Sequence, residues 1–350
     1  MIDVEVELPT GQGRKRQERL ANFASQLEDI QSQIDFRMSA RGWAYYLEGL
    51  SLITKSQLDR GEAAVNECRD LGYLPIDFVA PEEGRKFAGV ETPTQGTPIS
   101  YMREWLEGAA TSEEYYTPNW WKGETHYIQV VVEKIDLKEL FEPVCAEYHI
   151  PIATAKGWSS KLMRATYARR FKEAESHGLK AVLLYAGDHD PDGLRIGDFI
   201  KSNLDDLRGI VWQNGTHGYD PKNLVIDRFA INYEFIEKHG IPWIDNLETG
   251  SGIGLDDPRH KNHCLSYVQE YILKYGVRKV EANTMVQVAT EARQLCRDTI
   301  EKYLGHDALQ RFENKRQEIR DITNKFRDRT GLTDSIREAI ELIEEEEDKK

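Results

Sequence analysis

Long hydrophobic runs are missing from this chain. No apolar stretch approaches the roughly 20 residues of a membrane-crossing helix, and the opening residues carry no apolar secretory segment. The expectation is a soluble, cytoplasmic protein with no membrane partner. Cysteine is scarce, at four in 350 residues. Cys68, Cys145, Cys264 and Cys296 are too scattered for a disulfide framework or a zinc motif, which points to buried thiols in a reducing compartment. An excess of positive charge is also lacking. The formal net charge of −14 excludes nucleic-acid binding by bulk charge, so any such binding needs a local basic face. Part of the deficit sits in the tail EEEEDKK, residues 344–350, which is expected to be disordered. Apart from that tail there is no repeat or low-complexity segment. What remains is 40% hydrophobic and 30% charged, enough for two domains with real cores.

The most informative stretch is VLLYAGDHDPDGLRIGDFI, residues 182–200. An apolar run from Val182 to Tyr185 stops at Asp188, Asp190 and Asp192; Gly193 and a helical pattern follow. Strand, acidic loop and helix place a hard divalent cation at the carboxyl edge of a parallel sheet. A second apolar run, Ile128 to Val132, ends at Glu133. Two such edges suggest one Mg²⁺ site, of a kind that serves phosphate chemistry. The letters DHDPDG also open a calcium EF-hand loop. That reading fails because the twelfth position is Phe199 rather than Glu, the preceding segment reads as a strand, and Pro191 interrupts the loop. An aspartyl phosphatase also uses D-x-D after a strand, but on the first strand of its domain. A solvated acidic turn is the ordinary alternative.

The pairing with Glu133 argues against a mere turn. Glu133–Lys134 leads into a helix with Leu137, Leu140, Phe141 and Val144 on one face. A short strand follows at 150–153, then a turn in which Ser159 or Ser160 caps a helix that ends at Gly178. The acidic loop is followed by a helix, and a further strand is expected at 223–230. The pattern β-α-β-α-β-α-β predicts an α/β fold with a parallel sheet.

These residues resemble the Toprim domain of topoisomerases and primases. The string GDHDPDGLRI is similar to the D-x-D-P-x-G-x-x-I form of the topoisomerase VI A subunit and its meiotic double-strand-break relatives, and most of all to their short standalone "mini-A" forms. The resemblance implies that Glu133, Asp188 and Asp190 hold Mg²⁺. Lys134 and Asp192 are additional candidates, Asp192 at a position variable in that family.

Such an enzyme also needs a tyrosine on a winged-helix domain. In SARGWAYYLEGLSLI, Ser39 reads as an N-cap, and helical spacing puts Trp43, Tyr46, Leu47 and Leu50 on an apolar face. Arg41, Tyr45, Glu48 and Leu52 share a more polar face, with Arg41 and Tyr45 one turn apart. Tyr45 is therefore the candidate nucleophile and Tyr46 the alternative; the ordinary reading is that both are packing residues. The family's Arg stands four residues before its catalytic Tyr, as Arg41 does before Tyr45. Its paired tyrosines fall one position earlier, where this chain has Ala44. A phenol of pKa near 10 is a weak nucleophile at neutral pH, so Arg41 would favour the phenolate.

The expected organisation is an N-terminal helix (1–36), a winged-helix-like domain (37–90), a connector packed on the Toprim domain (91–125), the Toprim domain (126–283), a helical C-terminal region (284–343) and the tail. The first helix buries Leu20, Phe23, Leu27 and Ile30, and the stretch after the tyrosine reads as a helix, a stop at Gly72 and a short strand. Lys55, Arg60 and Arg69, with Arg164, Arg169, Arg170 and Lys172 on a crossover helix, are candidate phosphate contacts. VRKVEANT is similar to a segment that follows the Toprim core in the standalone relatives, and the resemblance implies that Glu281 lies near the site. Asp256, Asp257, His260 and His263 form a weaker metal candidate. By resemblance the partners are double-stranded DNA, a second copy of the chain and a B-subunit-like ATPase in trans. The competing functions are a Toprim hydrolytic nuclease that does not use the tyrosine, and a non-catalytic DNA-binding component of a mobile-element or defence system.

Overall fold

A computed structural model of the chain describes residues 6–33, 38–49, 52–79, 95–155, 160–248 and 253–347. The chain divides into two compact units, Met1–Lys86 with Thr125–Ile300, and Phe87–Glu124 with Glu301–Lys350.

In the first unit, α1 (Gly13–Gln31) buries Leu20, Phe23, Ala24, Leu27 and Ile30, the stripe that a 3.6-residue period predicts. Helix α2 (Ala40–Gly49) starts where Ser39 Oγ accepts the Gly42 N–H at 2.9 Å, which satisfies one of its orphan donors. Trp43, Ala44 and Leu47 are fully buried in a core shared with α1 and α3 (Leu58–Asp70), and Trp43 stacks on Phe78 at 5.1 Å. The stop at Gly72 has φ +75°, and a Cβ there would lie 2.8 Å from the Gly209 carbonyl oxygen, so this close approach requires glycine. The strand expected after it is instead a 3₁₀ turn, Ile76–Phe78. Among the described residues one bridge forms there, Pro75 with Val211, and proline has no N–H with which to extend a ladder. Residues 80–90 of the winged-helix reading lie outside the described residues.

The rest of this unit carries a four-stranded, all-parallel sheet in the order β2-β1-β3-β4. Its strands are β1 (His126–Val132), β2 (Ile152–Thr154), β3 (Lys180–Ala186) and β4 (Val225–Ala230). Six of the seven residues in each of β1 and β3 are buried, so these strands read as near-continuous apolar runs because helices cover both faces. The crossovers are α6 (Ile135–Glu147), α7 (Lys161–Ser176), and α8 (Pro191–Leu194) followed by α9 (Ile196–Asp205). Leu137, Leu140, Phe141 and Val144 are buried as the spacing requires. Ser160 is the N-cap of α7; Ser159 lies outside the described residues. The single helix expected after the acidic loop is two pieces, because Arg195 (φ −102°, ψ 5°) leaves helical geometry between them. Helices α10 (Tyr233–His239), α11 (Ser266–Tyr275) and most of α12 (Ala289–Leu304) complete the unit.

The second unit is helical: α4 (Pro98–Ala110), α5 (Ser112–Tyr115), α13 (Ala308–Thr330) and α14 (Leu332–Glu347). Residues 95–124, read as a connector, fold with the C-terminal helices. Trp120 packs edge-on against Phe312 at 4.7 Å, and Arg327 pairs with Glu113 at 2.5 Å in a largely buried bridge. The acidic run also departs from expectation. Residues 344–347 continue α14, since Ile336, Ile340 and Ile343 keep helical spacing and Glu is a good helix former; residues 348–350 lie outside the described ones.

Cys68, Cys145 and Cys296 are fully buried and Cys264 is exposed, all as free thiols. Burial, helped by the Glu67 charge, pushes the Cys68 thiol up to about 12. Titration with an aromatic disulfide at neutral pH is expected to give one fast thiol in the folded protein and four in denaturant. Two or more fast thiols would contradict this packing.

Candidate metal-binding site

The pairing of β1 with β3 sets Val132 beside Ala186, so the next residues, Glu133 and Gly187, leave the sheet edge side by side. The Glu133 N–H donates to the Ala186 carbonyl at 2.9 Å. In return, Glu133 Oε2 accepts the Asp188 N–H at 2.8 Å. No side chain fits at Gly187: a Cβ would stand 2.6 Å from Glu133 Oε2 and equally close to the Tyr185 ring. Asp190 is the N-cap of α8, its Oδ1 accepting the Gly193 N–H at 2.6 Å. A Cβ on Gly193 would fall 2.2 Å from the Asp188 carbonyl oxygen.

Two anchors hold this loop. Arg228, on β4, donates to the carbonyls of Gly187 (3.1 Å), Asp188 (2.7 Å), Gly193 (3.0 Å) and Ile231 (2.9 Å). His189 points inward and is 1% exposed. Its backbone exchanges two hydrogen bonds with Val280, at 2.8 and 3.1 Å. Its Nδ1 lies 3.0 Å from the Tyr271 hydroxyl, and Trp243 and Tyr275 meet the ring edge-on. Burial, with help from the Arg228 charge, lowers the His189 pKa to about 4, so the ring is neutral near pH 7. Replacing His189 with Ala empties this aromatic pocket and is expected to cost about 2–3 kcal/mol of stability. An unchanged denaturation midpoint would show that the ring does not anchor the loop.

The three carboxylates feel one another. Burial pushes the Glu133 carboxyl above its ordinary range; the Asp188 N–H draws it partly back, and the Asp188 and Asp190 charges add upward. Burial likewise raises Asp190, offset by the Gly193 N–H and reinforced by Asp188 and Asp192. Asp188 Oδ1 accepts the Ala282 N–H at 2.7 Å and lies 3.1 Å from Lys134 Nζ. Lys134 also bonds Glu281, the residue that the family resemblance places near the site.

Glu133, Asp188 and Asp190 supply hard oxygen donors in a partly buried setting, where two of them resist ionisation. A divalent cation would relieve both, so these residues fit Mg²⁺. Among the described residues no group of three or more His, Cys, Asp or Glu side chains is drawn tightly enough to grip an ion as it stands. Asp190 and Glu133 each commit an oxygen to a backbone N–H, and Lys134 stands on Asp188. Asp192 is exposed and accepts the Tyr267 hydroxyl at 2.7 Å.

The remaining candidates scatter. Arg69 is a correction: it is 3% exposed and spends its guanidinium on the Ile76 carbonyl and Asn66, so it cannot meet DNA. Lys55, Arg60 and Arg170 are exposed. Arg164 donates to Asn203 at 2.7 Å, and Arg169 stacks on Trp212 at 4.8 Å. Lys172 donates to the His217 and Gly218 carbonyls. Arg41 pairs with Asp59 at 2.6 Å and Glu62 at 3.0 Å. Tyr46 is half-buried and packs edge-on against Trp43 at 6.0 Å. The Tyr45 side chain lies outside the described residues. In the 244–263 segment, Asp257 binds Arg259 and His263 faces the Leu255 carbonyl. Sequence reasoning missed Arg228 and the role of His189. The one available signal for Arg228 was an Arg inside a strand pattern next to the acidic edge.

No family model matches this chain, nor does any curated protein or any solved structure. No described helix is long and apolar enough to cross a membrane.

Proposed function

We propose that this chain is a Mg²⁺-dependent DNA transesterase of Toprim type, resembling the topoisomerase VI A subunit. The observation that carries the reading is the register that brings Glu133 against the Asp188–Asp190 loop. Glu133, Asp188 and Asp190 would hold the ion, which supplies charge neutralisation at a scissile phosphate. Tyr45, on a winged-helix-like domain, attacks the phosphorus through its hydroxyl oxygen. A phosphotyrosyl bond forms as the bond to the 3′ oxygen breaks. The phenol proton passes to solvent, and the departing 3′ oxygen takes one up. One phosphoester replaces another, so resealing needs no ATP. Two copies acting together break both strands, and strand passage requires a B-subunit-like ATPase in trans.

The second reading is a hydrolytic nuclease with the same metal site. The pairing of Arg41 with Asp59 and Glu62 favours it, because acids beside Arg41 weaken its pull on a phenolate. Supercoiled plasmid with Mg²⁺ or Mn²⁺, run on gels with and without protease, separates the two. Protein-linked ends that disappear in Tyr45→Phe are the expected result. Free ends that persist in Tyr45→Phe overturn the transesterase in favour of the nuclease.

A further inference from the structure

Lys134 sits where a cation at this edge would be felt most. Its ammonium lies 3.1 Å from Asp188 Oδ1 and bonds Glu281 on the other side. Lys279 supports that second partner, with its Nζ 3.5 Å from Glu281 Oε1 and also donating to the Glu248 carbonyl at 3.1 Å. We propose that Lys134 is a built-in counter-ion that competes with the divalent metal for Asp188, and that Glu281 is the seat that keeps it when the metal arrives. This rests on the reading of Glu133, Asp188 and Asp190 as the metal ligands.

The argument is electrostatic. Three carboxylates in a partly buried pocket repel one another and need positive charge before any ion arrives. Lys134 provides one charge on a flexible stem that can swing. Glu281 lies across from Asp188, so a short swing leaves the ammonium paired throughout. Entry of the metal therefore exchanges one cation for another at Asp188 rather than adding charge to bare acids. The site stays stable without metal, and the metal it takes must outbid the lysine.

Calorimetric titration of Mn²⁺ into the full chain tests this. Lys134→Met is expected to tighten the dissociation constant about tenfold by removing both competitor and like charge. Lys134→Gln, which keeps the length and polarity, should tighten it similarly. Glu281→Gln is expected to weaken binding several-fold, since Lys134 then loses its seat and stays on Asp188. The double variant separates this role from direct ligation: in the Lys134→Met background, Glu281→Gln should have little further effect. An unchanged or weaker constant in both Lys134 variants, with circular dichroism showing them folded, overturns the proposal while leaving the metal site standing. Failure of the unmodified protein to bind Mn²⁺ overturns both. An undiminished Glu281→Gln effect in the Lys134→Met background overturns the seat and makes Glu281 a ligand.

Discussion

Glu133→Gln is expected to abolish the proposed metal-dependent DNA cleavage, by roughly 10²–10³-fold, while leaving the fold intact or slightly more stable. The opposite signs follow from what Glu133 does in each state. Without metal it is a partly buried acid whose ionisation is opposed by burial and by Asp188 and Asp190. A neutral amide escapes that repulsion, and its carbonyl oxygen can still accept the Asp188 N–H. With metal, the amide is a weaker ligand for a hard cation and brings no charge. Thermal melts with and without Mn²⁺ check this apart from activity. The unmodified protein should gain stability on metal addition by mass action, and the variant should gain little. A variant that melts well below the unmodified protein without metal would mean Glu133 serves the fold. A variant that keeps the full metal-induced gain would remove Glu133 from the ligand set.

The sheet and its acidic edge could be read from the chain because both rest on local patterns. Ile128–Val132 and Val182–Ala186 are buried on both faces, so each is an apolar run bounded by polar turns. Glu133 follows its run directly and Asp188 comes one residue after its own, and parallel pairing brings them together. What was not readable depends on contacts distant in the chain. Arg69 looks like a surface cation in a helical pattern, yet the turn at Ile76 folds back and takes its guanidinium. His189 looks like a variable letter between two acids, but Val280, Tyr271, Tyr275 and Trp243 come from segments some 50–90 residues away. The aromatic-rich stretch 95–124 gave no sign that its partners lie some two hundred residues downstream, at Phe312 and Arg327. Loop closure over such distances leaves little trace in local sequence.

Arg228 produces the second large effect. Arg228→Met is expected to lower stability by about 4 kcal/mol and to abolish the proposed metal binding. One guanidinium serves the carbonyls of Gly187, Asp188, Gly193 and Ile231. Three of these belong to the loop that carries the acids, so a single side chain on β4 fixes how Asp188 and Asp190 are presented. Burial pulls the Arg228 pKa down, which shows that holding the charge there costs free energy. Methionine matches the stem in length but supplies no donor, so the carbonyls lose their partner and the loop must open to water to satisfy them. Arg228→Lys should rescue little, because an ammonium is a point donor and cannot span four acceptors as the planar fork does. For a unit of this size the loss corresponds to a fall of roughly 10 °C in melting temperature. If Arg228→Met melts like the unmodified protein and binds Mn²⁺ equally well, the loop is held by His189 and the strand register alone, and the metal ligands are preorganised without β4.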